Sequence, residues 1–236
     1  GTAGGDVRIP ISGIRKATAA AMVASAFTAP HVTEFLTIDV TESVELLDRL
    51  RADPPSAEHR LTILTVVAKA VCIALARTPA LNSRWDDAAQ QIVQLRAVNL
   101  GIAAATERGL IVPNIRDAGT LTFTALAAAL GDLTEAARAG TTTPATMRDG
   151  TFTITNIGVF GIDAGTPILN PGEAGILAIG AVRRTPWEHD GAVALRQVMT
   201  LSLSFDHRVV DGAEASRFLA DVGAILRDPA RVLSML

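Results

Sequence analysis

Residues 62–77 are apolar on nearly every side of a helical turn, with Lys69 as the one charge before Arg77. A helix of that kind offers no polar stripe to water and has to be covered all round. It is too short to cross a bilayer, and the lysine in its middle speaks against that use. Pro79 closes it. The 236-residue chain therefore has to wrap a large core around this segment, and at this length one domain suffices.

Aromatic residues are scarce at 4%, tyrosine is absent, and hydrophobic residues reach 49%, so the packing is aliphatic and alanine-rich. A net charge of −3 without any lysine or arginine cluster argues against a nucleic-acid surface. Cys72 is the single cysteine and lies inside the apolar stretch, which makes it a core residue rather than a nucleophile. A reducing compartment follows, the cytoplasm or a mitochondrial matrix. No signal peptide or membrane span is recognisable. Residues 1–6 read as a linker remnant and 7–236 as one domain.

Along the chain, residues 15–27 are alanine-rich and helix-compatible, and 31–40 read as a strand. A helix opens at Thr41, expected as its N-cap, with Val44, Leu47 and Leu50 at helical spacing. Strands are expected over 91–95, 97–104 and 110–115, then a helix over 121–138. Residues 151–155 alternate in polarity, as a half-buried strand does, and two further strands at 176–182 and 193–204 flank a hairpin at 187–191. A last helix over 214–226 carries one apolar stripe. Helices and strands mix without a βαβ rhythm, so the expected fold is α/β, a sandwich of a mixed sheet and helices.

The segment with most chemistry is Phe205-Asp206-His207-Arg208-Val209-Val210-Asp211-Gly212, directly after the 193–204 strand. It delivers an imidazole to a strand end, where loops commonly hold functional groups. Histidine is the side chain best suited to move protons near neutral pH. Asp206 reads as a solvated turn residue and Arg208 as a loop organiser. Asp211 is an N-cap candidate for the last helix, with Glu214 completing a capping box. The other histidines take ordinary readings: His31 a satisfied structural residue, His59 and His189 exposed in charged surroundings. They are too scattered for a metal site, and one cysteine builds no zinc constellation. Glycine-rich 158–161 and 172–175 lack the strand–turn–helix setting of a phosphate loop, and Ser202 and Ser204 lack a nucleophile elbow.

The octet resembles the Asp-His-Arg-x-x-Asp-Gly signature of the dihydrolipoamide acyltransferases, the cores of 2-oxo acid dehydrogenase complexes. The segments starting at Ile9, Pro30, Leu81, Gly109, Gly150 and Ile168 resemble that family in order, so the likeness spans about Val7 to Leu236. It implies a chloramphenicol acetyltransferase-like two-layer sandwich. It also implies acyl transfer from dihydrolipoamide to coenzyme A, a substrate here, with the lipoyl group carried on a separate upstream domain and no metal. His207 is then the general base and Thr155, where many relatives have serine, the oxyanion donor, a role worth roughly 3–4 kcal/mol. Asp211 pairs with Arg15 on this resemblance, beside its reading as a helix cap; proton transfer by Asp211 itself is the least favoured role. Val112, Pro113, Asn156 and Gly158 would line the substrate channel.

The same resemblance implies a homotrimer whose active sites lie between neighbouring chains, His207 of one serving with Thr155 of the next. Trimers would join into a larger cage through the apolar tail 232–236, a surface liability on a monomer, unless that tail folds over its own core. A 2-oxo acid decarboxylase and a dihydrolipoamide dehydrogenase would be the partners, with no nucleic acid and no membrane. Arg183-Arg184 is a minor candidate for the coenzyme's phosphates. The small, aliphatic surroundings lean towards a branched-chain acyl group, with acetyl next. The rival functions are a free-standing chloramphenicol-type acetyltransferase and a non-catalytic core scaffold.

Overall fold

A computed structural model describes residues 6–52, 60–106 and 109–235. Helix α1 (Gly13–Thr28) leads into strand β1 (His31–Asp39), helix α2 (Thr41–Ala52) and the apolar helix α3 (Ile63–Arg77). Strands β2 (Ser83–Asp86), β3 (Gln91–Gln94), β4 (Leu100–Thr106), β5 (Gly109–Ile111) and β6 (Asn114–Ile115) precede helix α4 (Phe123–Ala139). Then come β7 (Phe152–Asn156), β8 (Gly175–Ile179), β9 (Arg183–His189), β10 (Ala192–Asp206), α5 (Gly212–Arg227) and the short α6 (Val232–Met235).

The main sheet runs β1-β10-β8-β7-β4-β5, with β6 beside the start of β4 and β9 beside the first half of β10. β10 is antiparallel to β1 and β8, whereas β7 is parallel to both β8 and β4. The sheet is mixed, as expected. Period-two alternation divides it into two chemically different faces. Ile38, Leu201, Leu203, Phe205, Leu177, Ile154 and Leu100 belong to the core shared with α3 and α5. Phe152 meets Phe218 of α5 with ring centroids 5.4 Å apart. α3 is buried along most of its length, and Lys69 reaches sideways to donate to the Leu121 carbonyl at 2.8 Å. Burial pushes the Cys72 thiol up to about 12, so it is an inert core residue.

The other face is lined by hydroxyls. Thr33 bonds Ser204 at 2.7 Å and Thr37 bonds Thr200 at 3.0 Å across the β1–β10 pair. Residues between β7 and β8 return across this face: Gly165 N–H donates to the Ser202 hydroxyl, and Leu169, Ile176 and Ala29 form a small second core. His31 closes that core. Its Nδ1 lies 2.7 Å from the Ala29 carbonyl, which only accepts, while Leu169 N–H donates to Nε2 at 3.0 Å. The ring is therefore the Nδ1–H tautomer and fully satisfied, as its structural reading requires.

Several sequence expectations need correction. Thr41 is the first residue of α2, not its cap: the Asp39 carboxylate accepts from both the Thr41 N–H and hydroxyl, at 2.9 and 2.6 Å. Burial would raise the Asp39 carboxyl, but these bonds and that from Arg196 outweigh it and hold it below the usual range. The strand expected over 110–115 is broken at Pro113, which has no N–H for a ladder, into β5 and β6. Trp187 and His189 belong to β9, and the hairpin turn is Asp190-Gly191, both with positive φ as a two-residue type I′ turn demands. β2 and β9 were not anticipated, because both are short or strongly polar. His59 and the linker residues 1–5 lie outside the described residues.

β7 alternates in polarity but is not half solvated. Thr153 is buried, and its hydroxyl donates to Glu173 Oε2 at 2.6 Å, while Asn170 donates to Oε1 at 3.1 Å. Room for this cluster comes from two glycines: a Cβ at Gly101 would stand 2.8 Å from the Thr153 hydroxyl, and one at Gly150 2.8 Å from Glu173 Oε1. Burial pushes the Glu173 carboxyl up to about 7, against the lowering bonds from Thr153 and Asn170. Folded and unfolded chains both hold this proton below the ordinary value of 4.5. As pH rises, the unfolded chain releases it first, so stability falls until the folded group also titrates near 7 and is level beyond. The shift corresponds to ~3 kcal/mol. Glu173→Gln keeps the shape of the protonated form. In urea unfolding at a series of pH values, the parent is expected to lose ~3 kcal/mol relative to this variant between about pH 4.5 and 8. Parallel stability curves would refute the assignment.

Candidate active site

β10 ends at Asp206, and the turn that follows is saturated with hydrogen bonds. The Asp206 carbonyl accepts from the N–H groups of Val209 and Val210, both at 3.0 Å. Its carboxylate, with the residue only 4% exposed, accepts from the Arg208 N–H at 3.0 Å and from the guanidinium at 3.0 and 2.7 Å. Asp206 is thus the buried anchor of the turn, not a solvated residue. The Asp206 bond also makes Arg208 hold its proton more tightly than usual. His207 N–H donates to the Pro30 carbonyl at 3.0 Å. Asp211 caps α5: Glu214 N–H donates to its carboxylate at 2.8 Å, and Glu214 accepts from the Asp211 N–H at 3.2 Å. Within the chain Arg15, exposed on α1, makes no ion pair with Asp211, so the capping role is the one present.

With every neighbouring group engaged, the His207 imidazole stands out. It is exposed, its ring 5.8 Å from that of Phe205, and it has no hydrogen-bond partner among the described residues. An imidazole on a rigid backbone with both nitrogens open is well suited to proton transfer.

Thr155 is conspicuous for the same reason. On its face the hydroxyls of Thr33, Thr37, Thr153, Thr200, Ser202 and Ser204 are all engaged. That of Thr155, half-buried near the end of β7, has no partner among the described residues. Val112 lies beside the same strand: a Cβ on Gly101 would stand 3.0 Å from its Cγ1 and 2.8 Å from the Thr153 hydroxyl. Pro113 is buried and its carbonyl accepts from Ile102 N–H at 2.9 Å, a structural role. Asn156 pairs with Ile179 at the end of β7. Gly158 packs so closely on Gly180 that a Cβ would collide with that residue's carbonyl.

The sheet register separates the two open groups. Thr155 pairs with Ala178, and Ala178 with Ser202. His207 lies beyond the far end of β10, a span of about 17 Å from Ser202 at roughly 3.3 Å per residue, with two strand spacings of ~4.8 Å besides. One chain cannot bring both groups to one carbonyl. The surface meanwhile exposes several large apolar side chains, among them Ile9, Ile11, Phe27 (86%), Val159 and Phe160. At the other candidate, Arg183 is tied to Asp163 and to the Gly161 carbonyl. The residues that sequence reasoning missed are Glu173, whose burial depends on contacts between distant segments, and Trp85, which lies under the Arg208 guanidinium. Among the described residues no cluster of histidine, cysteine and carboxylates could hold a metal, and no helix is long and apolar enough to cross a membrane.

The model of the family "2-oxoacid dehydrogenases acyltransferase (catalytic domain)" matches residues 3–234. The acetyltransferase component of the pyruvate dehydrogenase complex of Bacillus subtilis is 40% identical over 97% of this chain and 52% of its own length. The succinyltransferase component of the 2-oxoglutarate dehydrogenase complex of Bartonella vinsonii is 37% identical over 96% of the chain and 55% of its own length. The chain thus spans about half the length of the curated relatives it matches. Dihydrolipoamide acetyltransferase of Azotobacter vinelandii, studied for the role of a serine, a histidine and an asparagine in its catalytic mechanism, superposes with a TM-score of 0.92 at 33% identity, covering 98% of this chain and 95% of that one. The cubic core of a pyruvate dehydrogenase multienzyme complex also gives 0.92, at 32% identity and the same coverage. Chloramphenicol acetyltransferase shares the fold, with a TM-score of 0.57 at 16% identity over 92% of this chain and 98% of its own. The α/β sandwich, the order of its segments and these likenesses agree: the chain belongs to the 2-oxoacid dehydrogenase acyltransferase family, as its catalytic domain.

Proposed function

We propose that this domain transfers an acyl group between dihydrolipoamide and coenzyme A, with His207 as general base and Thr155 of a neighbouring chain as oxyanion donor. The observation that carries the reading is that the His207 ring and the Thr155 hydroxyl are without hydrogen-bond partners among the described residues, while Asp206 and Arg208 beside the one and Thr153 beside the other are engaged. The catalytic serine and asparagine of the A. vinelandii relative stand as far before and after its histidine as Thr155 and Asp211 stand from His207 here. Threonine keeps the serine hydroxyl and restricts its rotation. Aspartate and asparagine share the ability to cap a helix, which favours a supporting role for Asp211.

A free thiol is mostly protonated at neutral pH, so the coenzyme A sulfur needs a base. The imidazole takes that proton as sulfur attacks the thioester carbonyl of the acyl-dihydrolipoamide. The carbonyl oxygen becomes an anion and accepts the Thr155 hydroxyl hydrogen bond. Collapse of the intermediate breaks the bond from carbon to the dihydrolipoyl sulfur, which recovers the proton from the imidazolium. No group of this scheme requires a metal. The lipoyl group would arrive on a domain outside this chain.

A homotrimer, with each site built between two chains, is the assembly we favour; the separation of His207 and Thr155 and the exposed apolar side chains support a site shared between chains. Assembly into a cage is supported by the cubic core among the relatives and by α6, where Val232 and Met235 pack inward while Leu233 is 85% exposed. A 2-oxo acid decarboxylase and a dihydrolipoamide dehydrogenase would be the partners of such a core. For the acyl group we favour acetyl: the named relatives act on acetyl and succinyl groups, and none supports the branched-chain preference expected from the sequence.

In a dihydrolipoamide–coenzyme A assay, His207→Ala is expected to lower kcat about 10²–10⁴-fold. Thr155→Ala should cost about 10²–10³-fold, with Thr155→Ser within roughly tenfold of the parent. Normal turnover in His207→Ala would defeat the base assignment. Among acetyl-, isobutyryl- and succinyl-dihydrolipoamide, the acetyl thioester is expected to react fastest. Leu233→Asp should sediment as active trimers, and an unchanged large particle would count against the cage contact.

A further inference from the structure

We propose that Trp85 is a positioning residue for His207, acting through Arg208; this rests on the reading of His207 as the base. β2 and β3 form a separate two-stranded ribbon, a unit that is marginal on its own. Its base is firmly held. Asn82, buried at the foot of the ribbon, donates to the carbonyls of Leu95 and Ala97 at 2.8 and 3.1 Å, and Leu95 N–H donates back to the Asn82 carbonyl at 2.9 Å. Ser83 donates to the Pro79 carbonyl at 2.8 Å. Trp85 extends from this anchor, and its ring lies 5.1 Å from the Arg208 guanidinium carbon. Its own N–H donates to Asp87 at 3.2 Å.

Arg208 is therefore gripped on two sides. Asp206 takes its N–H groups in the plane of the guanidinium, and the indole supplies a flat wall with a negative face. The Asp206 pair alone fixes where the guanidinium binds but leaves its long stem a choice of rotamers. The indole removes that choice, and with it the freedom of the backbone on the C-terminal side of His207. The N-terminal side is already fixed by the Asp206 carboxylate and the Pro30 carbonyl. The ribbon thus serves as a brace that meets the turn through a cation–aromatic stack, with the Asp87 carboxylate beside it adding to the attraction on Arg208.

The test compares Trp85→Ala, Trp85→Leu and Trp85→Phe in the assembled protein, with His207→Ala as reference. Loss of the stack should lower kcat about fivefold to tenfold in the alanine and leucine variants, since misorientation of a catalytic group costs rate rather than affinity. KM for both substrates should stay within about twofold, and Trp85→Phe should recover most of the rate. The rate of His207 carbethoxylation by diethyl pyrocarbonate, read by mass spectrometry, should change in the leucine variant and return with phenylalanine. If His207→Ala remains active, the base assignment falls. If His207→Ala is inactive while the leucine and phenylalanine variants both keep the parent kcat, the positioning role is overturned. A rise in KM at constant kcat overturns it as well, because Trp85 would then be touching substrate. Should Trp85→Ala fail to assemble, the leucine and phenylalanine pair still decides.

Discussion

The register of β10 is the constraint on which the rest of the molecule depends. Its fifteen residues pair with β1 on one side and with β8 and β9 on the other. Leu201, Leu203 and Phe205 point into the helical layer, and Thr200, Ser202 and Ser204 onto the hydroxyl face. A slip of one residue would exchange these sets, placing hydroxyls under α5 and aliphatic chains against Thr33 and Thr37. The same register carries Asp206 to its buried position and sets where His207 leaves the sheet.

The turn after β10 is held by a buried carboxylate whose hydrogen bonds are made within the turn itself. A carboxylate as enclosed as Asp206 would cost several kcal/mol without partners. Its guanidinium and backbone donors offset that penalty and convert it into rigidity. Glu173 follows a different course: it has hydroxyl and amide donors but no cation bonded to it, and burial raises its pKa. The two buried carboxylates thus differ in their partners: Asp206 has a guanidinium, Glu173 only neutral donors.

Much of this was legible in the sequence because it depends on periodicity or local spacing. The all-round apolar helix, the β1 strand, the stripe of α5 and the Asp211–Glu214 capping box need only neighbours a few residues apart. Contacts between distant segments left no comparable trace. The stack of Trp85 on Arg208 and the bond from Thr153 to Glu173 join segments that no pattern links. The burial of Asp206 does have a sequence signal, since it continues the even-numbered polar series of β10. A hydroxyl before an apolar helix is usually its cap, but at Thr41 it is Asp39, two residues earlier, that accepts the N–H. The roles proposed for His207 and Thr155 rest on the family likeness, since periodicity says nothing of them.

The distance between the open imidazole and the open hydroxyl within a single chain has a consequence for timing. On the proposed roles, a newly synthesised protomer holds a base without its donor and a donor without its base. It is chemically mute until neighbours arrive, so thioesters in the cell are not exposed to half-built sites. Quaternary structure then works as the switch that turns the chemistry on.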